Sequence, residues 1–362
     1  MRPSAHSRIC SKEDHWQQGI FHHIVDEIEV EGFHGKTQAL PRSGSTIMPG
    51  PIHVQEDMKS QYTVSVIGSE GGLGRLITKA LRQRYSVKRV DLSCPNAEKV
   101  IRGDVRSQED MEQAVDGADV VIHLAAYHGG YNPPPTDETR FDVNVVGTFR
   151  MFQACLKKGI KHVVWGSSIA AMRNQGCYSM TKVLGEDLCE YYHLTHGMQL
   201  AMMRYGAFTP CDLITYGERL LGSGVDLRDC VNATVRAVDL LSAGSDLYGH
   251  FTISADNRLQ EEQLATFGSH YRRILSSMNP EWPNLIDRYS IRIPDFVTQY
   301  DISSTQAVLG FQPAFNFFSF MEELERRDRL GEIAGDSPRW WFEQGIPAPE
   351  NVIWPDCKDD GK

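Results

Sequence analysis

Tyr178 and Lys182 stand four residues apart in a segment, Tyr178 to His193, whose apolar spacing predicts a helix. Both side chains then share one helix face, one turn from each other. A phenol is a poor base at its ordinary pKa of about 10. An ammonium beside it favours the phenolate, which makes proton transfer near neutral pH feasible. Ser168 ends the segment that begins with the apolar run His162-Val163-Val164-Trp165, and it can donate a hydrogen bond to the same substrate oxygen. Hydroxyl donor, phenol and lysine together suit the interconversion of an alcohol and a carbonyl. The pair alone is common on helix surfaces, so its meaning depends on what the rest of the chain places beside it.

A hydride carrier needs a seat, and one is written upstream. The β-rich run Tyr62 to Ile67 leads into Gly68-Ser69-Glu70-Gly71-Gly72-Leu73-Gly74 and then a helical pattern to Leu81. Strand, glycine turn and helix in that order suit a dinucleotide pyrophosphate. Gly68 allows the tight turn, Gly71 lets the phosphates approach the backbone, and Gly74 allows close helix packing. Gly72 and Leu73 lie in the same turn and belong to the same candidate site. Asp91 closes the next strand, Val87 to Val90, near the offset of about 20 residues expected for an acid on the adenosine ribose. A carboxylate there accepts from both ribose hydroxyls and repels a 2′-phosphate. NAD is favoured over NADP, and the nearby Lys88 and Arg89 moderate that preference.

The alternation of strand and helix continues. Asp104-Val105 is expected to end a short strand, and Glu109 to Val115 reads as a helix. Asp119 to Ala126 reads as a buried parallel strand. Its small last residues, Ala125 and Ala126 after Leu124, would let a cofactor lie against the strand end. The Gly- and Pro-rich loop Tyr127 to Pro135 is either a wall of the substrate pocket or a rigid surface turn. Its His128 and Gly129 are candidate substrate contacts, and His128 reads equally as a surface group. Phe141 to Leu156 is an amphipathic helix that carries Asn144 on its first turns and is capped by Gly159.

The bulk numbers bound the partners. The chain has 362 residues, is 41% hydrophobic and carries a net charge of -10 without a basic block. That leaves room for a large core and argues against nucleic acid or an anionic membrane surface as a partner. The 8 cysteines are scattered without a Cys-x-x-Cys pair, which points to a reducing compartment and away from disulfides or structural zinc. No apolar stretch reads as a signal peptide or a membrane span, so a cytoplasmic, soluble protein is expected. His15, His22, His23 and His34 show no ligand spacing, and no metal is expected.

The motif order resembles the short-chain dehydrogenase/reductase superfamily, and more closely its extended branch, the NAD-dependent epimerase/dehydratase family. The resemblance covers roughly residues 62 to 325. It is carried by Gly68-x-x-Gly71-x-x-Gly74, Asp91, Asp104-Val105, His123-Leu124-Ala125-Ala126, Asn144, Ser167-Ser168 and Tyr178-x-x-x-Lys182. Further on, Met203 to Pro210, Val225 to Cys230, Gly249 to Ser254 and Leu309-Gly310-Phe311-Gln312-Pro313 are similar to the family's later signatures. The resemblance implies an α/β fold, a Rossmann-type doubly wound parallel sheet with a small C-terminal substrate lobe. It implies Tyr178 as acid/base, with Lys182 lowering its pKa and holding the nicotinamide ribose. It further implies that Ser168 polarises the reacting oxygen, Asn144 supports the lysine through water, and Asp104 and Val105 contact adenine. A homodimer through the helices near 141–158 and 178–195 is implied as well.

Departures bear on the substrate. Ala207 stands where nucleotide-sugar epimerases commonly carry asparagine, and the connection from Arg204 to Asp229 is short. Arg219 and Arg228 are candidate carboxylate or phosphate ligands, and both also read as surface charges. The compact lobe resembles uronate dehydrogenases more than nucleotide-sugar enzymes. Expected domains are an extension or linker over 1–60, a NAD-binding core over 61–205 with 225–257 returning to it, a substrate lobe over 206–224 and 258–330, and a tail over 331–362. Three functions stay open. They are a net NAD(P)-dependent oxidoreductase on a small sugar, sugar acid or similar alcohol, an epimerase with tightly bound NAD, and a non-catalytic cofactor-sensing regulator. The aromatics Trp282, Phe296, Phe311, Phe315, Phe317, Phe318 and Phe320 are expected in the lobe core, with Trp340, Trp341 and Trp354 docking the tail.

Overall fold

The computed structural model describes residues 62–94, 99–128, 134–173, 176–209 and 211–332. The expected extension or linker over 1–60 with its four histidines, Gly129 and the tail aromatics lie outside the described residues.

Val/Ile-rich runs become strands where both faces can be covered. The first half runs β1 (Thr63–Ile67), α1 (Gly72–Leu81), β2 (Ser86–Asp91), β3 (Val100–Arg102), α2 (Gln108–Val115) and β4 (Val120–His123). After β4 come α3 (Asp137–Phe141), a π-helical turn (Asp142–Val146) and α4 (Gly147–Lys158). Then follow β5 (His162–Ser168), a 3-10 turn (Ile169–Met172), α5 (Gly176–His196) and β6 (Gln199–Tyr205). Beyond it lie α6 (Leu213–Leu220), α7 (Leu227–Ser242) and β7 (Tyr248–Ile253). The last part is helical: α8 (Glu261–Ala265), α9 (Phe267–Met278), α10 (Trp282–Arg288), α11 (Ser303–Leu309) and α12 (Phe317–Leu330).

The 7 strands form one parallel sheet in the order β3-β2-β1-β4-β5-β6-β7. This is the Rossmann-type doubly wound arrangement. The order reverses between β1 and β4, and a crevice opens there at the carboxyl ends of the strands. One face of the sheet packs on α2, α4 and α5 through Phe152, Trp165 and Tyr192. The other packs on α1 and α7 and continues without a break into the C-terminal helices through Phe267, Phe317 and Phe320.

Several local expectations change. The helix expected from Phe141 is interrupted, because the π-helical turn precedes α4, and Asn144 sits inside it. Gly159 does end α4, with left-handed φ of 73°. Asp104 and Val105 follow β3 rather than ending it. Among the expected lobe aromatics, Phe296 is 62% exposed. The neighbouring Val297 donates its N–H to Leu264 O and turns inward, which aims Phe296 at solvent. Phe315 instead stacks under the Arg228 guanidinium, 3.5 Å from its ring centre.

Candidate active site

The glycine turn is held in place by its own backbone. Gly68 has φ of +89°, which an L side chain adopts only with strain, and a Cβ there would lie 2.7 Å from Ala125 N. A Cβ on Gly74 would meet Gly68 O at 2.1 Å. Gly71 caps α1 without a side-chain hydrogen bond, and the first turn of α1 has no acidic residue. The positive end of that helix therefore carries no counter-charge of its own. Gly68 and Ser69 both donate to Val90 O, so the turn is anchored to β2.

Asp91 sits beside it. Its carboxylate accepts from Glu70 N and Ser93 N, both at 2.9 Å, and burial pushes its pKa up. Lys88 faces away, donating to Gln113 O and Asp116 O. Arg89 is neutralised by Glu70. Neither basic residue is therefore poised at the ribose, contrary to the moderating role expected for them. At the positions expected to contact adenine, Arg106 grips the Asp104 carboxylate and holds its pKa down. The Val105 side chain packs at the position of Gly147. Leu124 N pairs with Ile67 O, which brings Ala125 and Ala126 beside the turn.

Ser168, Tyr178 and Lys182 converge at the carboxyl end of β5. The Ser168 hydroxyl accepts from Ala170 N at 3.1 Å, capping the 3-10 turn, and is hydrogen-bonded to the Tyr178 hydroxyl. Burial pushes the Tyr178 phenol above its ordinary value, and the bond from Ser168 opposes that. Lys182 Nζ lies 5.8 Å from the Tyr178 ring centre, donates to Gly166 O at 2.6 Å and rests over Trp165 at 4.8 Å. Burial lowers its pKa to about 8. The lysine is thus adjacent, yet its charge is directed into β5 and does not pull the phenol down in this arrangement.

The direct partners of Asn144 lie in the loop after β4 and in α5. Its side chain brackets Tyr127, accepting from the backbone N at 2.7 Å and donating to the backbone O at 2.9 Å, and it donates to Thr181 Oγ1 at 3.0 Å. It pins the loop after β4 to α5. His128 lies in that loop, and burial depresses its basicity. Ala207 forms a bridge with Gly224, so its backbone is structural. Arg219 braces Thr209 through Nη1, at 2.5 Å from Thr209 O. Arg228 is forked onto Asp226, each nitrogen at 2.8 Å, which occupies the charge proposed for an anion.

Three features escaped the sequence. Glu186, one turn beyond Lys182, is buried and accepts from Ser167 Oγ at 2.5 Å and from Arg204 Nε and Nη2 at 2.8 and 2.7 Å. His250 Nε2 stands 3.4 Å away. The four-residue spacing from Lys182 was the available signal. His123 is buried with neither ring nitrogen bonded among the described residues, and burial lowers its pKa to about 3. Arg173, just past the 3-10 turn, bonds Tyr300 of the C-terminal region.

The model of the NAD dependent epimerase/dehydratase family matches residues 64–209. An L-arabinose 1-dehydrogenase (NAD(P)(+)) of Haloferax volcanii is 26% identical over 176 residues, 41% of this chain and 68% of that protein. A uronate dehydrogenase of Pseudomonas putida is 26% identical over 164 residues, 40% of this chain and 60% of that protein. A solved short-chain dehydrogenase/reductase superfamily protein from Agrobacterium tumefaciens, with bound NAD, superposes with TM-score 0.56 at 20% identity, covering 75% of this chain and 99% of that one.

Proposed function

We propose that the chain, whose residues 64–209 match the model of the NAD dependent epimerase/dehydratase family, is an NAD-dependent oxidoreductase of the short-chain dehydrogenase/reductase type. It interconverts an alcohol and a ketone on a small hydroxylated substrate, a sugar or sugar acid. The observation that carries this is the meeting of Ser168, Tyr178 and Lys182 at the end of β5, one strand over from the crevice above the glycine turn. The residues suit the dinucleotide, because the turn has no Cβ where phosphates approach and the start of α1 has no carboxylate. Relatives active on arabinose and uronate support the substrate class.

When bound, NAD supplies a hydride acceptor at its nicotinamide C4. The protein's share is placement and the proton. Tyr178 Oη takes the proton of the reacting hydroxyl in oxidation and returns it in reduction. Ser168 Oγ donates to the developing carbonyl oxygen. Lys182, held by Gly166 O one helical turn from the phenol, would hold the nicotinamide ribose when the dinucleotide is bound. Asn144 positions the loop bearing His128 as the pocket wall. Asp91 receives the adenosine ribose, while Asp104 and Val105 border the adenine. The residues of 206–224 and 258–330 form the substrate side and 61–205 with 225–257 the dinucleotide side.

The same side chains serve a second reading, an epimerase that returns the hydride to the molecule it came from, as the family's range of activities allows. A homodimer through α4 and α5 is also proposed, because Phe149, Tyr191 and Leu194 stand exposed on them. The cytoplasm is the proposed compartment. Among the described residues 6 cysteines are free and no helix is long and apolar enough to cross a membrane.

The test is direct. Full-length protein is mixed with NAD or NADP and a panel of sugars, sugar acids and secondary alcohols, while absorbance of the reduced nicotinamide and product identity are followed. Reduced nicotinamide formed with NAD is the expected result. An epimeric product without net reduction would favour the second reading, and no product with any substrate would count against catalysis.

A further inference from the structure

Glu70 lies inside the glycine turn, yet its side chain is only 7% exposed. Arg89 grips it with Nη2 and, at 3.1 Å, with Nε. Arg75 Nε stands 3.7 Å from its other oxygen, and Ser69 Oγ donates to it at 3.0 Å. Its own backbone N–H donates to Asp91, the acid at the ribose position. One residue thus joins that acid, through its backbone, to two guanidinium groups, through its side chain.

Next to this group is a cavity of about 170 Å³ lined by Arg75, Thr78, Lys79, Arg82 and Arg89. Arg75 Nε and Thr78 Oγ1 are buried there without a hydrogen-bond partner among the described residues. Four cations and the unbonded Thr78 hydroxyl around a small cavity make a phosphoryl-binding surface. Lys88, on the opposite face of β2, takes no part. The carboxylate of Glu70 is what offsets this charge.

We infer that Glu70 is the residue that sets the choice of dinucleotide, by occupying Arg75 and Arg89 so that they do not receive a 2′-phosphate. This rests on the reading of the glycine turn as a dinucleotide seat. A 2′-phosphate brings about two negative charges to Asp91's side of the turn. With Glu70 present it meets a second carboxylate, and the guanidiniums can serve it only by leaving an established fork. With Glu70 neutral, both guanidiniums lose their anion and remain partly buried, and the 2′-phosphate is the group that restores one.

The experiment measures binding and needs no turnover. Wild type, Glu70→Gln, Glu70→Ser and the double variant Glu70→Gln/Arg89→Ala are titrated calorimetrically with NAD, NADP, 5′-AMP and 2′,5′-ADP, with inorganic phosphate as a competitor. Wild type should prefer NAD, and each single variant should shift the NADP-to-NAD affinity ratio by about tenfold or more toward NADP. The ratio for 2′,5′-ADP over 5′-AMP should move in parallel, and the double variant should lose the gain. Competition by inorganic phosphate for 2′,5′-ADP in the single variants alone would agree with a phosphoryl site opened there. If both single variants bind NAD normally and keep the wild-type ratio within about twofold, Glu70 does not select the cofactor. If wild type binds neither dinucleotide, the seat itself is misread and the inference falls with it.

Discussion

Lys182 Nζ donates to the carbonyl oxygen of Gly166 at 2.6 Å, so the ammonium joins α5 to β5 beneath the phenol one turn away. A buried cation held by a neutral carbonyl is under electrostatic strain. Burial has brought its pKa from 10.5 to about 8.

Replacing Lys182 by methionine should therefore separate function from stability. Turnover should fall by about 100-fold or more, while the variant unfolds no more easily at pH 7. The folded-state pKa lies below the unfolded one, so the unfolded chain binds more protons between them. The cost is full below pH 8 and is relieved as pH rises toward 10.5. Wild type should gain roughly 3 kcal/mol on the methionine variant across that window. Urea unfolding at pH 7 and pH 10 measures it; a difference that does not change with pH would refute the assignment.

Glu186 gives the opposite sign. Burial would raise its pKa, but Arg204, His250 and Ser167 outweigh burial and bring it from 4.5 to about 2. Its stabilisation is present above pH 4.5 and lost as pH falls toward 2. Acid unfolding followed by circular dichroism should show wild type losing roughly 3 kcal/mol that Glu186→Gln, already weaker at pH 7, does not lose. Parallel curves for the two proteins would contradict this.

Two glycines in one turn should respond differently to the same methyl group. At Gly74 the new Cβ would sit 2.1 Å from backbone oxygen Gly68 O, which cannot step aside, whereas at Gly72 nothing lies within 4 Å. Gly74→Ala should cost about 2 kcal/mol or more and weaken NAD binding. Gly72→Ala should leave the melting temperature unchanged or slightly higher. Equal melting temperatures for the two variants would mean that the turn is looser than its contacts indicate.

Asn144→Ala should release the loop after β4. The change leaves Tyr127 N and O and Thr181 Oγ1 short of a partner, at a cost of about 2–3 kcal/mol. If the loop bearing His128 walls the substrate, KM should rise more than kcat falls. A fall in kcat alone would instead support the role originally expected of Asn144, as a support for Lys182.

Local periodicity carries the parts that were legible. Buried strands such as Val120–His123, the glycine turn and the pairing of Tyr178 with Lys182 on one helix each depend on neighbours in sequence. The π-helical turn at Asn144 was not visible, because one extra residue per turn barely disturbs an amphipathic pattern over so short a span. Glu186 finds Ser167, Arg204 and His250 on three adjacent strands, so its environment depends on strand order. The hold of Asp229 on Ala314 N and Phe315 N joins positions 85 and 86 residues apart. Burial raises that carboxyl to about 6, an effect no local spacing announces. Arg228 reads as a free surface charge until the fold brings Asp226 and Phe315 to it.

Turnover of Tyr178→Phe, measured beside its NAD affinity, is the most direct test of the role assigned to the phenol. Removing one hydroxyl should lower kcat by about 1,000-fold while the dissociation constant for NAD stays within about threefold. Turnover close to wild type at unchanged NAD affinity would take the proton transfer away from Tyr178 and leave the proposed mechanism without its acid and base.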